Sequence, residues 1–196
     1  MSGKAWRIAL LAGAMSFSPI TQAQQGFRPL SVDLAVTYTA ERAKIATTGC
    51  GCFWLQGGSV NGAIRIFRSL SVATNLTGEH ASAIGGGVDV SKLAFMAGPR
   101  WTNHWLGDRH KTSVFGEALF GIAHGFDSVF PTTSGIESSA NSFSLQVGGG
   151  LNIMIARRFG LRALEIGYVR TSLPNNAGNT QNDLRLAMGV SYHLGR

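Results

Sequence analysis

Charge, long apolar runs and cysteine are all scarce in this chain, and each scarcity excludes something. Only 14% of the 196 residues are charged, against roughly a quarter in an ordinary soluble domain. After residue 24 nothing approaches the roughly 18 consecutive apolar residues of a transmembrane helix. A mature chain resident in a membrane would therefore have to satisfy its backbone as a closed barrel. Cys50 and Cys52 are the only cysteines. Two thiols are too few for a structural zinc site, and a bridge across one residue would be strained. A loop-end feature without chemistry, a strained disulfide and a metal contact are the open readings of this pair.

What the chain does hold is glycine and alternation. Apolar residues make up 44% and glycines number 26, with no collagen-like period. Inside alternating segments, glycine permits tight curvature and close packing. The N-terminus has a positive head (Lys4, Arg7), a short apolar run from Ile8 to Met15 and small residues at Thr21 and Ala23. That order predicts an export signal over residues 1–23, cleaved before Gln24. The run is too short to anchor in a bilayer, and no cysteine follows it to mark a lipoprotein. Loss of Lys4 and Arg7 would lower the net charge of +7 by two.

Eight segments of period 2 are predicted along residues 24–196: about 29–40, 53–67, 69–79, 92–103, 112–124, 141–156, 160–172 and 183–194. In the last, Leu184, Leu186, Met188, Val190, Tyr192 and Leu194 alternate with Asp183, Arg185, Ala187, Gly189, Ser191 and His193. A soluble barrel or sandwich would turn the apolar face inward, whereas a membrane barrel reverses the pattern. The links decide between them. Those after the second and sixth segments are short. Those after the first ("AERAKIATTGCGC"), third ("HASAIGGGVDVS"), fifth and seventh are longer and rich in Gly, Ser, Asn and Thr. Short turns on one side and long loops on the other are the habit of outer-membrane barrels.

"AERA" at Ala40 to Ala43, "CGCFWLQGG", "FMAGPRWT", "SFSLQVGGGLNIMI" and the closing "LEIGYVRTSLPNNAGNTQNDLRLAMGVSYHLG" together resemble the OmpA-like outer-membrane β-barrel family. The likeness covers nearly all of the mature chain. It implies an all-β fold, an eight-stranded antiparallel up-and-down transmembrane β-barrel, with no cofactor and no enzymatic activity. Two features depart from the family: the chain ends in Gly195 and Arg196 in place of a terminal aromatic, and no peptidoglycan-binding domain follows the barrel.

On this reading Arg65, Arg100 and Arg185 share the lumen face with Asp33, Glu117 and Glu165. Eight strands enclose a space that side chains just fill, so these six would form a charge-paired plug; a gated polar pore is the alternative. Tyr38, Trp54, Trp101, Tyr168 and Tyr192 are placed as interfacial aromatics. Arg68, Arg109, Lys111, Arg157 and Arg158 would form a basic periplasmic rim able to attract anionic headgroups, or simply solvated turn charges. This distribution is not a nucleic-acid footprint. The expected partners are outer-membrane lipids and, during biogenesis, the barrel-assembly machinery; no surface ligand is indicated. Two other functions stay open. A secreted lipocalin-like barrel would line a ligand cavity with the apolar face. A lipid A-modifying enzyme would need a nucleophile beside a base, as His80 with Ser82 or His124 with Ser128 could supply.

Overall fold

The computed structural model describes residues 31–44, 51–84, 87–104, 112–132, 135–175 and 179–195. The expected export signal, Cys50, Arg109 and Lys111 lie outside them. The strands are β1 (Val32–Lys44), β2 (Cys52–Phe67), β3 (Leu70–Ile84), β4 (Val88–His104), β5 (Thr112–Phe126), β6 (Phe130–Thr132), β7 (Gly135–Glu137), β8 (Ala140–Met154), β9 (Phe159–Thr171) and β10 (Gln181–Leu194). Eight of them form one closed antiparallel barrel in the order β1-β10-β9-β8-β5-β4-β3-β2, with β6 and β7 as a separate hairpin. Closure runs from Val32↔Leu194 to Arg42↔Leu184. Every barrel strand thus has partners on both sides, and no edge is left to recruit another chain.

The alternation determines which side faces out. On β1, Leu34, Val36 and Tyr38 are exposed while Ala35, Thr37 and Thr39 are buried. The same inversion runs around the wall, with Ile64, Leu76, Phe95, Ile122, Ile166 and Val190 all outward and exposed. A soluble monomer rarely exposes an apolar patch above a few hundred Å²; here a continuous band circles the molecule. The lipocalin-like reading needs these residues inside, and it fails on this point. On β1 the band extends from Val32 to Ala40, about the nine residues that a tilted membrane strand requires, and gives way to Arg42 and Lys44.

Strands of 13–17 residues are longer than the band needs, and the excess lies at one end. "AERAK" and "HASAI", expected as loop, continue β1 and β3, so the link between β3 and β4 shrinks to residues 85–87. Small and polar residues read as loop in sequence, yet beyond the apolar band a strand needs no outward grease to stay paired. The long link after β5 likewise contains the β6–β7 hairpin.

Two irregularities set the interior. In β9, Glu165 faces Ala187 and Arg162 faces Gly189. One extra residue therefore sits opposite Met188, a β-bulge that reverses the phase of the strand. Arg162 is turned inward, where strict alternation would have sent it to the lipid. In β5, Phe115, Glu117 and Leu119 all point into the lumen and are buried. The Phe115 ring fits because Gly150 lies beside it: a Cβ there would come 2.7 Å from the ring and 2.6 Å from the Leu164 carbonyl oxygen.

Gly150→Val should therefore destabilise the barrel by roughly 1–3 kcal/mol, as overpacking does. The measurement is thermal unfolding in detergent, followed by the loss of the fast-migrating folded band on unboiled gels.

Candidate functional site

The barrel interior is layered. At the short-turn end, Asp33 accepts a hydrogen bond from His193 Nδ1. Arg65 is half-buried on the same face and acts on Asp33 electrostatically, without a direct ion pair among the described residues. One layer deeper, Arg100 Nε donates to Glu117 Oε2 at 2.7 Å, and Nη2 lies 2.6 Å from the same oxygen as an ion-pair contact. Beside it, Arg162 meets Glu165 at 2.8 Å. Their two guanidinium groups lie 4.5 and 4.6 Å from the Phe115 ring centroid. The ring stabilises both cations, while each cation retains its own carboxylate.

Arg185 occupies the centre. Its Nη1 donates to Gln146 Oε1 at 2.7 Å and its Nη2 to Ser59 Oγ at 2.9 Å. Glu165 lies 3.6 Å away and Glu79 4.0 Å. One side chain on β10 thus reaches β8, β2, β9 and β3. Gln146 passes the connection on by donating to Glu117 at 3.1 Å. A row of short polar groups completes the layer: Asn75 donates to Asn61 at 2.7 Å, and Asn61 to Ser59 at 3.0 Å. Below Arg185, Ala63, Ala73, Ala94, Met96, Leu119 and Ala123 fill the lumen with small apolar groups. The void left around Met96, Gln146 and Arg185 is ≈ 10 Å³, at most room for one water.

Above Arg185 the ammonium of Lys92 bonds Glu41 and lies 3.1 Å from Glu79. Asp183 is buried on the same level. In all, five acids (Glu41, Glu79, Glu117, Glu165, Asp183) and four bases (Lys92, Arg100, Arg162, Arg185) are buried. Pairing Arg100 with Glu117 and Arg162 with Glu165 leaves Lys92 and Arg185 against three carboxylates, so the acid excess sits at the long-link end.

Of the six lumen charges expected from sequence, Arg100, Glu117, Glu165 and Arg185 are joined in one network. Asp33 pairs instead with His193, and Arg65 stands apart. The sequence reading left Glu41, Glu79, Lys92 and Arg162 out of the lumen, and it placed Asp183 on the polar face of the last strand without counting it in the charge network. Alternation carried through "AERAK" and back into "VDVSK" would have found Glu41 and Lys92; only the bulge could reveal Arg162.

Among the aromatics, Tyr38 closes the band on β1 and its hydroxyl donates to Gln56 at 2.9 Å. Tyr168, near the long-link end, donates to Asn182 at 2.5 Å. Trp54 stands one outward position beyond Gln56, across from Arg42. Trp101 lies near the short turns, opposite Leu70. Tyr192 is half-buried against Phe159, ring centroids 4.9 Å apart. Arg68, Arg157 and Arg158 are exposed in the short turns. Cys52 opens β2 with an exposed free thiol.

Of the two serine–histidine pairs considered from sequence, His80 is in hydrogen-bond contact with Ser82, while His124 bonds Asn141 instead of Ser128. Ser91 Oγ donates its single proton to Asp127 at 3.0 Å. His80 Nδ1, 2.9 Å from the same oxygen, must then donate to it, and Nε2 accepts from Ser82 at 3.1 Å. Ser91 thus cannot pass its proton to His80, whereas the Ser82 hydroxyl does meet Nε2 of that ring. His124 bonds Asn141 at 2.8 Å and stacks on Phe126, with no serine in reach of its Nδ1.

Arg185→Leu should cost roughly 3–5 kcal/mol, since it strands buried carboxylates. Arg158→Gln, at an exposed turn, should change stability by under about 0.5 kcal/mol. Denaturant unfolding in micelles compares the two.

No protein-family model matches this chain, and no curated protein matches it by sequence. Solved structures do resemble it. Ail, the attachment invasion locus protein of Yersinia pestis, superposes with a TM-score of 0.57 at 16% identity, over 84% of this chain and 99% of that one. Ail in complex with the heparin analogue sucrose octasulfate gives 0.54 at 17%, over 84% and 99%. Neisserial surface protein A gives 0.59 at 14%, over 82% and 96%. Closure, strand number and coverage agree: this chain has the fold of the eight-stranded outer-membrane β-barrels.

Proposed function

We propose that the protein is an integral outer-membrane barrel, exported by cleavage before Gln24, that acts structurally and through its surface rather than as an enzyme or a pore. The observation that carries this reading is the inversion of the wall: an encircling apolar band outside and, within, a charge-paired interior with almost no void around Arg185. The long-link end would face outward from the cell, with Arg68 and Arg158 in the periplasm.

Arg42 and Lys44 on β1 and Arg170 on β9 flank the intervening β10, are exposed, and stand just past the apolar band. Strands two apart are about 10 Å from each other, a spacing that suits phosphate-bearing lipid headgroups beside the aromatic Tyr168. The basic short turns would serve the other leaflet in the same way, and outer-membrane lipids are accordingly the proposed partners, with the assembly machinery during insertion. The heparin analogue held by Ail keeps a second contact in view, a sulfated glycan at the same outward cations.

The decisive experiment is fractionation and labelling. The native protein should extract only with detergent, shift mobility on boiling and begin at Gln24. Single-cysteine variants at Ser139 and Arg158, in a background lacking Cys50 and Cys52, should differ: an impermeant maleimide should label the Ser139 site on intact cells and spare the Arg158 site. Planar bilayers containing the barrel should show no steady porin-sized conductance. A soluble product, reversed labelling or a large ohmic channel would each overturn the reading.

A further inference from the structure

The upper lumen changes character in a way that plugging does not require. Past the Lys92 layer the inward residues turn apolar: Ala43, Leu55 and Ala81 are buried together, with Phe53, Ile84 and Val90 packed against them. All of these but Ala81 wall a cavity of ≈ 300 Å³ at the barrel mouth, the lower end of the range for small-molecule pockets. A mouth open to water gains nothing from apolar walls, whereas a ligand site does.

The walls are held in place. Gln181 accepts hydrogen bonds from Thr171 Oγ1 and the Leu173 amide, each at 3.0 Å, and donates to the Leu173 carbonyl at 2.8 Å. That fixes Leu173 over one side. Phe130, from the β6–β7 hairpin, covers another: a Cβ on Gly125 would come 2.6 Å from its ring, so glycine lets the ring seat.

Glu41, Lys92 and Asp183 line the floor of the cavity, and Lys44 is the other charged residue of the lining. Lys92 is taken by Glu41 and Glu79. Asp183 is only 5% exposed, and among the described residues it has no base within ion-pair distance. A buried carboxyl without a base is costly to keep charged, and an ammonium group seated against it would supply the missing partner.

We propose that the mouth binds a small hydrophobic amine, its ammonium on Asp183 beside Glu41 and its apolar body against Phe53, Leu55, Val90, Phe130 and Leu173. The Asp183 carboxyl without a base selects the cation, and the walls select a compact hydrocarbon.

The test uses the full mature barrel in lipid nanodiscs and three cage compounds of one shape: adamantylamine, adamantanol and adamantane carboxylate. Binding is read from methyl NMR shifts of Leu55, Val90 and Leu173, with empty nanodiscs correcting for partition. The amine should saturate these shifts with affinity at least about tenfold above the alcohol, and the carboxylate should not bind. Asp183→Asn should lower amine affinity by about tenfold and leave the alcohol unchanged. Leu55→Trp should fill the cavity and abolish both. If Asp183→Asn fails to fold, the ranking of the three compounds on the wild-type barrel decides alone. Equal affinity of amine and alcohol, preference for the carboxylate, or non-saturating shifts shared with outward Leu34 and Val60 would overturn the proposal.

Discussion

The guanidinium of Arg185 is the contact on which the interior depends. In hydrocarbon the outward side chains supply no force that draws strands together, since lipid tails are as apolar as Leu or Ile. Strand pairing closes the cylinder, and the inside must then be filled with something that does not collapse it or flood it. Here the filling is polar. Desolvating a charge costs several kcal/mol unless partners repay it. Arg185 meets that condition by engaging Gln146, Ser59, Glu165 and Glu79 from four strands. Its position then dictates the others: Gln146 must face Glu117, Glu117 must hold Arg100, and Arg162 must reach Glu165.

That chain of requirements explains the small irregularities of the wall. Arg162 can share the lumen with Glu165 only because β9 bulges between them. Two arginines share one layer against the Phe115 ring, each with its own carboxylate. Phe115 can enter only where Gly150 leaves room. Each departure from regular alternation serves the charge inventory, and none is needed by the outer band.

The same distinction marks what could be seen in the sequence. The band was legible, because lipid on one face imposes period 2 over whole strands such as Phe143 to Ile155. Glu117 with Arg100 and Arg185 was legible for the same reason. Arg162 was not, since a bulge leaves no compositional mark and shifts every later inference on its strand by one face. Asp183 stood on the polar face of its strand without being counted, while Glu41, Glu79 and Lys92 were hidden differently. They lie where the strands leave the band, and there "AERAK" and "HASAI" carry the small and polar residues that usually signal loop. Period-2 reading stops where the lipid stops, although the barrel does not.

Those hidden residues make the two ends of the lumen chemically unequal. At the short-turn end Asp33 has His193, with Arg65 nearby, and charge is matched with no apolar lining above it. At the other end three carboxylates share Lys92 and Arg185 under a roof of Leu55, Phe53, Val90 and Leu173. Apolar walls lower the local dielectric response and so sharpen the consequence of every unmatched charge beneath them. A purely structural plug would be cheaper with Asp183 replaced by a neutral polar group and the mouth lined with hydrophilic side chains. The asymmetry therefore costs stability where the fold has no use for it, and stored cost of that kind is how a binding site differs from a stopper.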